Sequence, residues 1–282
     1  MLRSWPSAVA AILIVIVAVI VLIPVIRTQR EMLHKTDCLN HFRSLGQFAA
    51  LYAQANGKPD ATIPQVIPPG TIVGSAVEAT DRLSWVAGML PFLDKTYDDG
   101  QALYAALNVA QPWSAVQNLG VAKHRLRLLL IPGAPKRPEP GQPEFTQIVG
   151  LTGLGPDSPL LPRNAGEISP RAGCFRYDSA TPLSLIRDGD GTANTLLFGE
   201  TSNANGPWLQ GGPSTVRWLD TAPGALPMLG SGGQFGGHFT SVTGFAKADG
   251  SAGFHRNTMT PAVLRALFTI RGRGEDVLPG GE

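Results

Sequence analysis

The hydrophobic pattern divides this chain into one long apolar rod and a body of short, mixed segments. Ala8 to Ile23 is unbroken Ala, Ile, Leu and Val, and no Asp, Glu, Lys or Arg occurs between Arg3 and Arg27. A bilayer core about 30 Å thick takes roughly 20 such residues in a helix, so residues 7-26 predict one transmembrane span. A lone span in hydrocarbon satisfies its backbone only as a helix, which overrides the strand preference of so much Val and Ile. A cleaved secretory signal would have a shorter apolar core and a small-x-small site behind it. Here Arg27-Thr28-Gln29-Arg30-Glu31 follows instead, so the anchor is expected to stay uncleaved.

Past the span, apolar residues recur at helical spacing: Leu33, Leu39, Phe42, Leu45, Ala49 and Tyr52. Arg30, Lys35, Asp37, Asn40, Arg43 and Gln47 lie between them. Pro24 is expected to kink the helix rather than end it. Asn56-Gly57-Lys58-Pro59 supplies the stop, with Gly57 suited to a left-handed cap. The expectation is one rod of about 50 residues, its 27-56 half an amphipathic continuation laid on a globular domain of 57-275. Short tails, 1-6 and a flexible 276-282, flank it.

In the body, Ile63 to Gly74 reads as a Pro-rich loop and Asp81 to Leu93 as a short apolar helix, with Trp85 and Phe92 as core. Gln101 to Asn108 adds a second short helix. Leu126 to Ile131, stopped by Pro132-Gly133, suits a buried strand, as do Phe145 to Gly150 and Leu196 to Glu200. Pro135 to Pro143 is a stiff surface loop. Asp249-Gly250 between Gly244-Phe245-Ala246 and Ala252-Gly253-Phe254 signals a two-residue hairpin turn. Thr260-Pro261 opens a last helix, with Leu264 to Ile270 as its apolar face.

Charge and composition narrow the function classes. A net charge of +2 with no polybasic stripe argues against a nucleic-acid partner. The 33 Gly and 24 Pro favour many short strands joined by turns and long loops. Cys38 and Cys174 allow one disulfide if the body lies outside the cytoplasm. Arg3 precedes the span while Arg27, Arg30, Lys35 and Arg43 follow it. That count favours a cytoplasmic body, yet long domains translocate largely regardless of flanking charge.

Several stretches together resemble a known family. Pro24-Val25-Ile26-Arg27-Thr28-Gln29-Arg30-Glu31, then Cys38-Leu39-Asn40 and Leu45-Gly46-Gln47, look like the start of type IV pilin-like proteins. More closely, they resemble the planctomycete-type pilin-like family called domain of unknown function 1559. Asp81 to Leu93 resembles its RLSW…LLPYL segment, and Gly153-Leu154-Gly155-Pro156-Asp157 its post-strand glycine loop. Cys174-Phe175-Arg176-Tyr177-Asp178 with Leu185 to Thr195 resembles its FGYD…ITDGTSNT signature. His238 running to Asp249-Gly250 resembles its closing signature with one residue inserted. Where the family commonly has Cys-Pro after a strand, this chain has Ile131-Pro132.

The resemblance implies an α+β, type IV pilin-like fold: a long kinked N-terminal transmembrane helix packed on a mainly antiparallel β-sheet. It also implies an extracytoplasmic, periplasmic head, and self or other pilin-like subunits as partners. Aligned on Pro24, Leu2 stands where the family's prepilin cleavage Gly belongs and Ser7 where its Glu belongs. The reading is therefore a permanently anchored relative whose terminus is not trimmed.

Candidate chemistry is sparse. Asp188-Gly189-Asp190-Gly191-Thr192-Ala193-Asn194 alternates carboxylates with glycines, a pattern able to wrap calcium through Asp188, Asp190 and Asn194. It lacks an EF-hand's further ligand at Thr192 and bidentate Glu. The bland alternative is a turn pinned by side chain-to-backbone bonds. His238 with Asp249 lacks a nucleophile elbow, and Gly230-Ser231-Gly232-Gly233 lacks the Lys of a phosphate loop. Trp208 and Trp218 are either core or an exposed binding patch. The expectation is a non-enzymatic, pseudopilin-like structural component of an envelope or secretion-type assembly. The alternative is a membrane-tethered extracytoplasmic solute- or polymer-binding protein, with or without calcium; no cofactor other than calcium is expected.

Overall fold

The computed structural model describes residues 5–57, 63–74, 78–134, 138–164 and 167–271. Leu2, Lys58, Pro59, Pro135 and the expected 276-282 tail lie outside the described residues.

One helix, α1 (Trp5–Asn56), carries both halves of the rod and runs uninterrupted through Pro24. Its apolar stretch is long and apolar enough to cross a membrane by length and composition, and none of the described residues in that window is buried inside the protein. The large side chains from Ile12 to Ile26 stand exposed together. A contiguous apolar surface of that size is not left facing water. Beyond it the burial becomes one-sided. Cys38, Phe42, Leu45, Ala49 and Ala53 are buried at three- and four-residue spacing, with Gly46 and Phe48 beside them.

Leu33, expected on that face, is 63% exposed. It precedes Cys38 by five residues, which at 3.6 residues per turn turns it about 140° away from the stripe. Gly57 does follow the helix, but without the left-handed conformation its position suggested. Its role is steric: a Cβ there would stand 2.7 Å from the Gln65 backbone.

The head begins with two-residue strands β1 (Val66–Ile67), β2 (Thr71–Ile72) and β3 (Leu83–Ser84), then helices α2 (Trp85–Met89), α3 (Gly100–Ala106) and α4 (Val116–Ala122). Strand β4 (Ile148–Leu154) is buried at every position. After it come β5 (Arg163–Asn164), β6 (Glu167–Ile168), β7 (Thr181–Pro182) and α5 (Leu183–Asp188). Strands β8 (Leu196–Glu200), β9 (Val216–Leu219), β10 (Val242–Lys247) and β11 (Ala252–Arg256) precede the closing helix α6 (Pro261–Phe268). The principal sheet has the order β11-β10-β8-β4-β9. It is antiparallel except where β9 runs parallel to β4. The architecture is α+β.

Alternation along the strands sorts residues to two faces. On β10, Gly244 lies under the Phe42 ring of α1, while Phe245 points the other way to Phe268 of α6, ring centroids 6.0 Å apart. The α1 face is filled by Trp85, Phe175 and Phe198, with Trp85 and Phe198 centroids at 5.0 Å. Trp85 also donates its indole N–H to the Thr215 carbonyl at 2.8 Å, satisfying the polar end of a buried ring.

Several local expectations change. Leu126, Leu128, Leu129 and Ile131 are buried but do not form a strand: Arg127–Leu129 forms a 3-10 turn, and the Ile131 N–H goes to Gln147 Oε1 at 2.7 Å instead of a neighbouring strand. A short apolar run does not distinguish the two by periodicity. The strand expected from Phe145 begins at Ile148, because Thr146 Oγ1 accepts the Ile148 N–H at 3.1 Å and bends the chain there. The β10–β11 turn holds three residues rather than two. The Gly250 N–H reaches the Lys247 carbonyl and Gly250 takes φ +84°, the conformation such a loop reserves for glycine. Thr260 precedes Pro261 as expected but makes no side-chain cap.

Candidate functional site

The seam between α1 and the sheet concentrates the unusual chemistry. Going down the helix, His34 meets Gly133, Cys38 meets Glu200, Phe42 meets Gly244 and Gly46 meets Gly250. These are the i, i+4 positions of one helical face.

Glu200 ends the central strand β8 and is fully buried. Its Oε2 accepts the Cys38 thiol at 3.8 Å and the Gly244 backbone N–H, while Oε1 has no hydrogen-bond partner among the described residues. Burial pushes its carboxyl up to about 8, with the Gly244 and Cys38 donors holding it back. At neutral pH the acid is therefore protonated, since an ionised carboxylate there would be an unpaired charge away from water. Burial, and then Glu200, drive the Cys38 thiol far above its ordinary range. A thiol held in that form is a poor nucleophile. Cys174 is likewise buried and raised to about 12, and its thiol donates to the Leu196 carbonyl at 3.4 Å. The two cysteines are free and do not pair.

The Asp188 to Asn194 loop joins α5 to a 3-10 turn, Thr192–Asn194. The Asn194 amide donates to the Asp190 carbonyl at 3.0 Å and the Thr195 hydroxyl to the Gly191 carbonyl at 3.1 Å. The Asp190 N–H bonds the Ile270 carbonyl at 3.0 Å, tying the loop to the segment that follows α6. Asp188 is exposed and Asp190 buried, so the two carboxylates do not share one environment. The Asp190 and Gly191 carbonyls each accept a hydrogen bond from within or beside the loop, and among the described residues there is no group of three His, Cys, Asp or Glu suited to a metal.

Other residues singled out from sequence separate in space. Trp208 is core, its indole N–H donated to the His124 carbonyl at 2.9 Å. Trp218 is half-buried beside Arg217, Gln234 and Ala204 in a cavity of about 290 Å³. Asp249 Oδ1 accepts the Ser251 N–H and hydroxyl at 2.9 and 2.7 Å, which fixes the hairpin turn. His238 lines a different cavity of about 490 Å³ against α1, with Arg27, Arg30 and His34. Sequence reasoning missed Glu200 as a buried acid, because a Glu closing an apolar strand looks like a strand end reaching water. It also missed Arg163, 2% exposed, whose guanidinium serves four carbonyls: Gly173 at 2.5 Å, Thr152 at 2.6 Å, Ser158 at 3.0 Å and Leu161 at 3.0 Å.

Residues 37–226, more than half of the chain, match the family described as "Protein of unknown function (DUF1559)". The chain belongs to that family. The DUF1559 match takes in Cys38, the Asp188 to Asn194 loop and Glu200, so both partners of the buried thiol–carboxyl contact lie within it. The apolar half of α1 and the β10–β11 hairpin fall outside it. No curated protein and no solved structure matches the chain.

Proposed function

We propose that this DUF1559 protein is a single-pass, membrane-anchored, pseudopilin-like structural component of a cell-envelope or secretion-type assembly, without catalysis. The observation that carries the reading is the continuity of α1. A rod exposed and apolar through Ile26 becomes, without a break, the spine of a sheet domain from Cys38 on. Anchor and head then have a fixed relation, which suits a subunit that transmits position rather than a domain on a loose tether. Outside the lipid-length stretch, Met32, Leu33 and Leu51 keep apolar side chains exposed on α1, the surface a neighbouring subunit would cover. In support of a structural role, burial holds the Cys38 thiol protonated and Asp249 is spent on the hairpin turn. This reading puts the head on the extracytoplasmic side, as the family resemblance implies.

The test is crosslinking in intact membranes from single cysteines at Leu33 and Leu51; the native cysteines, being buried, stay silent. A subunit of an assembly gives crosslinks to itself or to other pilin-like chains. A chain that stays monomeric at both positions is not one. The second reading, a tethered solute- or polymer-binding protein, draws on the cavity that holds Trp218. There Ala204 adopts φ +46° and its carbonyl accepts from Arg217. Strained backbone of that kind gathers at binding sites.

A further inference from the structure

The cavity between α1 and the Pro132–Ala134 loop sits at one particular height on the helix. Arg27 is the first charged residue past the apolar stretch, and Arg30 and His34 follow it down the cavity wall. At 1.5 Å of rise per residue, these three side chains leave the helix over about 10 Å. The headgroup layer adds roughly 5–7 Å outside each face of the hydrocarbon. With Ile26 at the hydrocarbon edge, Arg27 and Arg30 leave the helix within that layer and His34, about 12 Å from the edge, on its aqueous side.

The walls are cationic and carry donors. Two guanidiniums and two imidazoles, those of His34 and His238, line the cavity. Its one lining carboxylate, Glu31, is held by Lys35 at 2.7 Å. Gln147, 2% exposed, also lines it. Its Oε1 is fixed by the Ile131 N–H at 2.7 Å, which anchors the side chain in the cavity wall. Gly133 brings backbone so close to the His34 ring that a Cβ would stand 2.3 Å from Nδ1, so loop and helix form one wall. The volume, about 490 Å³, is that of a small-molecule site.

We propose that this cavity seats the phosphate of an anionic lipid headgroup from the leaflet on the head's side, clamped by Arg27 and Arg30 and bounded by His34, His238 and Gln147. Guanidinium recognises phosphate through paired N–H donors, and basic pockets beside membrane helices take lipid headgroups. The site then fixes the depth of the head against the membrane. The proposal rests on the reading of α1 as a membrane anchor.

The experiment puts the full chain into nanodiscs and reads hydrogen–deuterium exchange at residues 131–134 and 236–239. Three arms are compared: phosphatidylcholine alone, phosphatidylcholine with phosphatidylglycerol, and phosphatidylcholine with inorganic phosphate in solution. The proposal expects protection in both segments only with phosphatidylglycerol. That protection is lost in the Arg27→Gln/Arg30→Gln double variant and kept in Arg43→Gln, which removes the same kind of charge outside the cavity. Protection by inorganic phosphate alone overturns the lipid as source. Equal exchange in all arms, or protection surviving in the double variant, overturns the site. Failure of the chain to stay with the nanodisc overturns the anchor reading instead, so the two failures are distinct. Unchanged melting of the double variant shows that the head is intact.

Discussion

Gly46 of α1 and Gly250 of the β10–β11 turn meet backbone to backbone: a Cβ added to Gly46 would stand 2.7 Å from the Gly250 Cα and 3.0 Å from its carbonyl oxygen. Neither residue has a side chain to yield, so the gap closes only if helix and hairpin separate. Gly46→Val is expected to destabilise the head by about 1–3 kcal/mol, the usual cost of overpacking, read as a lowered melting temperature. Gly120→Ala in α4, where nothing lies within 4 Å of the added carbon, is expected to do the opposite, by up to ~1 kcal/mol of helix propensity.

Glu200 makes stability depend on pH in a defined direction. Its folded-state value, about 8, lies above the 4.5 of a solvated carboxyl in the unfolded chain, so between those pH values the folded state holds a proton the unfolded state has released. The contribution is complete below 4.5 and is lost as pH rises through 8, with a slope of ~1.4 kcal/mol per pH unit in between. Glu200→Gln removes that slope. Chemical denaturation across this range is expected to show the variant gaining on the wild type as pH rises; parallel curves would remove Glu200 as the cause.

Arg163 holds four carbonyls from the β4 to β7 region together. Arg163→Met fills the volume but leaves those acceptors buried without donors, at about 1–3 kcal/mol each for the ones that find no water. A melting temperature depressed more than by Gly46→Val is expected. Arg163→Lys does not restore it, because an ammonium lacks the planar fork.

The Asp188 to Asn194 loop is expected to behave as a turn. Asn194→Ala lowers stability by ~1 kcal/mol through loss of its bond to the Asp190 carbonyl. Melting is expected to be the same in calcium and in chelator. A calcium-dependent rise that disappears in Asp190→Ala would restore the metal-binding reading.

How much of this was legible in the sequence follows from the range of each interaction. The span was plain because lipid imposes length and apolarity on consecutive residues, and the spine because Phe42, Leu45 and Ala49 repeat at helical spacing. Strand β8 was found at its bounds, Leu196–Glu200. The Leu126 to Ile131 run was misread because its partner for the Ile131 N–H is a side chain sixteen residues away, which no local pattern encodes. Glu200 and Cys38 are separated by 162 residues, so their contact is a property of the fold alone. The cavity on α1 assembles Arg27, Gln147 and His238 from three distant stretches; Arg27 carries a signal as a charge flanking the span and His238 as part of the closing signature, but nothing local joins them to each other or to Gln147.

The central claim is that one helix is both anchor and spine, and trypsin on membranes washed with alkaline carbonate tests it most directly. The account predicts that the full chain stays with the membrane. Cleavage after Arg27 or Arg30 then releases a head that keeps Cys38 to Asn56 and melts cooperatively at the temperature of the intact protein. Loss of the full chain in the wash, or release of a head that no longer unfolds cooperatively, would contradict it.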